Sequence, residues 1–154
     1  MKDLNKKLMI EQLDRKFEKL AVLIDLEISP KGWINAIRTG LNMSLVQLAK
    51  RLKKTSVSVK EIEQREEDKG ITLKKLSEVA EALDCRFVYA IVPKDGSLEK
   101  LIDKRAIQVA EEIVMRTSHT MKLEDQENTE ERIKKAIKDR AEEIKNELPK
   151  YLWD

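Results

Sequence analysis

The stretch MSLVQLAKRLKKTSVSVKEIEQRE, Met43 to Glu66, constrains the fold more than any other part of the chain. Ser44 with Gln47 three positions on is a capping-box spacing, which predicts a helix over Ser44–Leu52. Leu45, Leu48, Ala49 and Leu52 form its inward face, and Ala49 is small, as needed where a second helix crosses closely. Lys53 and Lys54 allow only a short turn before Thr55, whose hydroxyl can cap a second helix over Ser56–Glu67. In that helix Val59 and Ile62 face the core, leaving Ser56, Val57, Ser58, Lys60, Glu61 and Gln64 on other faces. Two short helices, a tight turn and a second helix with a polar outer face are what entry into a DNA major groove requires.

The flanking sequence extends this pattern. Leu4, Leu8, Leu13, Phe17, Leu20 and Ile24 give an imperfect amphipathic stripe and predict a helix over Leu4–Leu26, broken by Ser29-Pro30-Lys31-Gly32. A short helix follows from Trp33 to Thr39, with Gly40 as its C-cap, and Trp33 reads as a core residue rather than a stacking platform. Thr72–Leu83 is predicted as a packing helix. CRFVYAIV, Cys85–Val92, reads as a strand ended by the turn Pro93–Gly96. Two further helices are predicted over Leu98–Ser118 and Thr129–Leu148, the latter with Asn128 as N-cap and Glu131 at N3, joined by the polar stretch Lys122–Asn128. Met115 and Met121 read as packing residues.

Composition agrees with a chain of helices. Of 154 residues 39% are charged and only 4% aromatic, with four Gly and three Pro. Between Gly32 and Glu66 seven cations stand against three anions, whereas Ser97–Asp154 carries twelve cations against fourteen anions. A basic segment beside a slightly acidic one fits a nucleic-acid reader with a separate interaction region, although a solvated helical surface produces the same modest excess. The charged N-terminus is no signal peptide, no stretch is apolar enough to span a membrane, and a single cysteine gives no intramolecular disulfide. The expected location is the cytoplasm.

Residues from about Ile37 to Leu83 resemble the phage-repressor/Cro-like helix-turn-helix superfamily, with its Ser-x-x-x-Leu-Ala-x-x-Leu helix before a recognition helix ending in Ile-x-x-Ile-Glu. The whole chain is similar to the family called mobile mystery protein A. The similarity rests on Gln12-Leu13-Asp14-Arg15-Lys16, Gly32-Trp33-Ile34-x-Ala36-Ile37-Arg38, Gly70-Ile71-Thr72-Leu73-Lys74, Ala82-Leu83-Asp84-Cys85-Arg86-x-Val88-Tyr89-Ala90 and Leu152-Trp153-Asp154. The resemblance implies a mainly α fold: a five-helix-type repressor helix-turn-helix core with one β-strand and a helical C-terminal extension. The corresponding segments are an N-terminal helix at 1–31, the DNA-binding domain at 32–84, a dimerisation strand and turn at 85–96, and the extension at 97–154. It further implies a sequence-specific transcriptional regulator that represses its own operator and serves as antitoxin to a Fic-domain toxin encoded beside it on a mobile element. A plain helix-turn-helix repressor without toxin neutralisation is the alternative, and a scaffold that keeps the motif without using it is a third.

By superfamily position the base readers are Ser56, Val57, Lys60 and Glu61. Lys60 can donate to guanine, Glu61 can accept from cytosine, and Val57 can touch a thymine methyl. Ser44, Lys54, Thr55 and Arg65 are candidates for phosphate contact, against a plain reading as caps and surface charge. Arg38 and Glu63 match a superfamily ion pair and read as structural rather than DNA-contacting. Two departures stand out: Lys53 occupies a turn position where glycine is usual, and Leu45 replaces a glutamine that often touches the DNA backbone.

No catalytic constellation is expected. His119 is the only histidine and Cys85 the only cysteine, so one chain offers neither a zinc site nor a Cys–His pair, and no cofactor is implied. The pattern Ser/Thr-x-x-x-Glu followed by Gly or Asn, often used to inhibit Fic enzymes, has imperfect counterparts at Ser77-x-x-x-Glu81-Ala82 and Thr120-x-x-x-Glu124-Asp125. A single strand leaves its backbone groups unpaired, so Arg86–Val92 is expected to pair with its copy in a homodimer or, as the rival, with a strand near Leu26–Ile28.

Overall fold

The computed structural model describes residues 2–121 and 129–154. The expected Asn128 cap, the polar stretch Lys122–Asn128 and the side chains of His119, Thr120 and Met121 lie outside the described residues. Among the described residues there are seven α-helices: α1 (Lys2–Lys19), α2 (Gly32–Gly40), α3 (Leu45–Leu52), α4 (Ser56–Glu67), α5 (Leu73–Ala82), α6 (Leu98–Met121) and α7 (Thr129–Glu147). Short 3-10 turns occur at Ala21–Leu23 and Lys150–Trp153. No described helix is long and apolar enough to cross a membrane. The chain divides into two units, Asp25–Ile91 and Met1–Ile24 with Val92–Asp154.

The 25–91 unit is built on α2–α5. Its core is Ile34, Leu48, Ala49, Val59, Ile62, Val79 and Leu83, flanked by Ile37, Met43, Leu45, Leu52, Ile71, Leu76 and Ala82. Leu48, Val59 and Val79 are wholly buried, each worth about 1.5–3 kcal/mol of transfer free energy. Ser44 and Gln47 form the predicted capping box, and Thr55 and Thr72 cap α4 and α5 through Ser58 and Lys75 amides at 3.1 Å. All four helices close alike: a left-handed residue (Asn42, Lys53, Lys69 or Asp84) lets the next amide reach back to the carbonyl of Arg38, Ala49, Arg65 or Ala80 at 2.8–2.9 Å. None of these four is glycine. Gly40, expected as the cap of α2, is the last residue of that helix, and Asn42 takes the left-handed role.

The strand expected at Cys85–Val92 is not present. Among the described residues there is no strand, and residues 85–93 form irregular chain with Val88, Tyr89 and Ile91 at the surface. Neither this segment nor Leu26–Ile28 pairs with another. The β-branched and aromatic composition favours extended backbone, but a strand is defined by a ladder, and no second segment among the described residues supplies one. Trp33 also departs from expectation: it is half-exposed rather than core.

The second unit packs α6 against α7 over Ile102, Ala106, Val109, Ala110, Ala141 and Ile144, with Leu152 wholly buried beside them. The alanines let the two helices approach closely. Arg105 fixes the 3-10 turn by donating from Nε to the Leu152 carbonyl and from Nη2 to the Asp154 carbonyl, both at 2.6 Å. α1 ends at Lys19, earlier than its periodicity predicts, and joins this core through Ile10 while Leu4 and Leu8 stay exposed. Its Asp14 carboxylate accepts the Leu98 and Glu99 amides at 2.6 and 3.2 Å, and Ser97 Oγ accepts Lys100 N, so the first turn of α6 is capped largely from another helix.

Candidate nucleic-acid interface

The surface at issue is the outer side of α3 and α4. The turn between them is tight because Lys53 adopts φ 54° and ψ 43°, the left-handed conformation that glycine takes most easily. Lys54 N then bonds Ala49 O at 2.9 Å, and only two residues separate the end of α3 from Thr55, the N-cap of α4. With Val59, Ile62 and Glu63 turned inward, Val57, Lys60, Glu61 and Gln64 fall on one exposed face at spacings of three and four. Val57 is 66% exposed, an apolar side chain held outward on an otherwise polar face. Ser56, the fourth proposed base reader, is half-buried at the first helical position.

The proposed phosphate ligands fall into two groups. Ser44 and Thr55 are exposed, but each hydroxyl oxygen already accepts an amide as a cap. Lys54 and Arg65 belong instead to a cation cluster that includes Lys75 of α5. The neighbouring Lys75 ammonium, with Arg65 also nearby, holds Lys54 below the usual lysine range. Glu78 bonds Lys75 at 2.9 Å and holds it above that range, while the same contact lowers the Glu78 carboxyl.

Two carboxylates on the inner side of α4 hold α2. Glu63 receives Arg38 Nε on Oε1 and Arg38 Nη2 on Oε2 at 3.2 Å, and Asn35 Nδ2 reaches Oε2 at 3.1 Å. Arg38 Nη1 donates to Met43 O at 2.9 Å, so the guanidinium also clamps the chain leaving α2. Both side chains are about nine-tenths buried, with 12% and 11% exposure, which places the pair inside the unit as its positions in the sequence suggested. One turn on, Glu66 accepts the Trp33 amide on Oε1 and the Ile34 amide on Oε2, at 3.2 Å for the latter. Lys31, at the N-cap of α2, supplies no side-chain bond, so Glu66 replaces a local cap. Gly32, at φ +89°, packs directly against this carboxylate.

Sequence reasoning missed Gly32, Asn35, Glu66 and Lys75. The one available signal was the absence of Ser, Thr, Asp or Asn at the start of α2, whose free amides then require an acceptor from elsewhere. Comparison of the chain with protein-family models, with curated proteins and with solved structures found no match.

Proposed function

We propose that the 25–91 unit binds double-stranded DNA sequence-specifically, with α4 in the major groove, and that the protein acts by binding rather than catalysis, as a transcriptional regulator in the cytoplasm. The observation that carries this reading is α4 itself: capped by Thr55, anchored inward by Val59, Ile62 and the Glu63–Arg38 pair, and exposing Val57, Lys60, Glu61 and Gln64 together. Lys60 and Glu61 are suited to hydrogen-bonding base edges and Val57 to a thymine methyl, while the neighbouring cations suit phosphate.

A homodimer follows from the needs of this mode of binding, because one short helix reads only a half-site. Exposed Val88, Tyr89 and Ile91 in the irregular segment after α5 support an apolar contact between copies. In this reading the protein represses its own operator and neutralises a Fic-domain toxin. The plain-repressor alternative draws support from α5, where Glu81 of the Ser77-x-x-x-Glu81 pattern is followed by Ala82, which packs against the core.

The test is fluorescence anisotropy with duplex DNA from the region upstream of the gene, titrated across salt. Salt-sensitive binding by the wild type, with sequence discrimination lost in Lys60→Ala/Glu61→Ala, is the expected result. No binding to that DNA, or equal discrimination by the double variant, rejects the assignment. Co-expression with a neighbouring Fic-domain protein separates antitoxin from plain repressor: relief of toxicity supports the former.

A further inference from the structure

The irregular segment after α5 is extended yet unpaired. The Phe87 and Tyr89 rings stack with centroids 5.9 Å apart and planes 19° from parallel. Side chains at i and i+2 share a face in extended backbone and point apart on a helix, so the stack marks 87–89 as extended. Among the described residues, no backbone amide or carbonyl of residues 86–92 makes a hydrogen bond. The run has sharp ends. On one side the Cys85 amide is spent on the Ala80 carbonyl at 2.8 Å, and on the other Pro93 has no amide to give. Val88, Tyr89 and Ile91 are 71%, 71% and 88% exposed, so apolar side chains stand on both faces of the segment.

We propose that residues 86–92 form an antiparallel ladder with the same residues of a second copy, with the two-fold axis passing at Tyr89. This rests on the homodimer reading and gives it a defined interface. A second copy fits because an isologous antiparallel pair matches the donors and acceptors of each segment with those of the other by symmetry. The amides and carbonyls that face the partner join the ladder, while those on the outer edge stay with water. Between Cys85 and Pro93 the longest ladder is centred on Tyr89, which sets Val88 opposite Ala90 of the partner subunit and Phe87 opposite Ile91 of the partner subunit. Charge decides the direction. Arg86 is the only charged residue in the run, and antiparallel pairing holds the two arginines at opposite ends, about 20 Å apart. Parallel pairing would set them side by side, which is unfavourable.

The experiment uses the full chain with the exposed Cys85 removed by Cys85→Ser, carrying either Tyr89→Cys or Arg86→Cys, and a short bis-maleimide cross-linker. Sedimentation gives the mass of each variant, and circular dichroism checks that the helices persist. Residues opposite each other in the ladder have Cα atoms about 5 Å apart, so Tyr89→Cys is expected to cross-link to its copy in high yield. Arg86→Cys, about 20 Å from its copy, is expected not to cross-link. In variants that sediment as dimers, cross-linking at both positions signals a parallel pair, and any pattern without Tyr89→Cys places the interface elsewhere. Either result overturns the ladder and keeps the homodimer. Amide exchange in the unsubstituted protein, followed by NMR, forms the second arm. Alternate amides within 86–92 should exchange more slowly than their neighbours and lose that protection on dilution. Uniformly fast exchange along 86–92 in a dimer overturns the ladder. A monomer at every concentration overturns both the ladder and the homodimer, and leaves the DNA-reading face of α4 to be judged by its own test.

Discussion

The Glu66 carboxylate occupies the space that a side chain on residue 32 would need: a Cβ on Gly32 would stand 2.5 Å from Glu66 Oε1. Gly32→Ala therefore has two costs. The alanine is strained at φ +89°, by about 1–2 kcal/mol, and Glu66 must swing away from the Trp33 and Ile34 amides, losing a further 1 kcal/mol or so. Thermal melting should report the combined loss. Because the alanine already displaces Glu66, adding Glu66→Ala should cost little more, and additive losses in this cycle would disprove the coupling.

Arg38→Ala leaves the Glu63 carboxylate buried with only the Asn35 amide as partner. A loss of about 3 kcal/mol in stability is expected, measured by denaturant unfolding of the protein without DNA. Stability unchanged with DNA affinity reduced would make Arg38 a DNA contact.

Lys53→Gly should stabilise the protein. Relief of left-handed strain, about 1–2 kcal/mol, exceeds the added flexibility of the unfolded chain, about 0.4–1 kcal/mol, so a net gain of about 1 kcal/mol and a higher Tm are expected. A lower Tm would mean that the lysine side chain contributes a contact outweighing the strain.

In the other unit, hydrogen bonding to the Asp103 carboxylate raises the Lys145 pKa above its ordinary value. The folded value lies above the unfolded one, so the stabilisation is complete below the ordinary lysine pKa of about 10.4 and is lost as pH rises through the folded value. Both groups are partly exposed, which limits the contribution to about 1 kcal/mol or less. The Tm difference between wild type and Lys145→Gln should hold at neutral pH and narrow above about pH 10.4. A constant difference across that range would assign the effect to packing of the lysine stem.

Much of this was legible because its causes are local. Capping by Ser44, Thr55 and Thr72, and the inward positions of Leu48, Val59 and Ile62, are set within one or two helical turns of sequence. The Arg38–Glu63 pair was expected only from the resemblance to helix-turn-helix repressors. Glu66 was not: it caps a helix that begins 34 residues earlier, and nothing near either residue marks the other. Cys85–Val92 misled because side-chain type reports a preference for extended backbone, while a ladder needs a second backbone that none of the described residues offers.

The capping of α6 by Asp14 has a consequence for the order in which the protein can form during synthesis. The two partners are 84 residues apart, and the entire 25–91 unit lies between them. A ribosome therefore releases α1 long before its partners exist, and the helix-turn-helix unit, whose contacts close over short stretches, can fold first. Folding it first shortens the effective span that α1 and α6 must bridge, so completion of the second unit comes after that of the 25–91 unit. Substitutions that weaken the Arg38 and Glu66 bonds should then slow the assembly of the other unit as well.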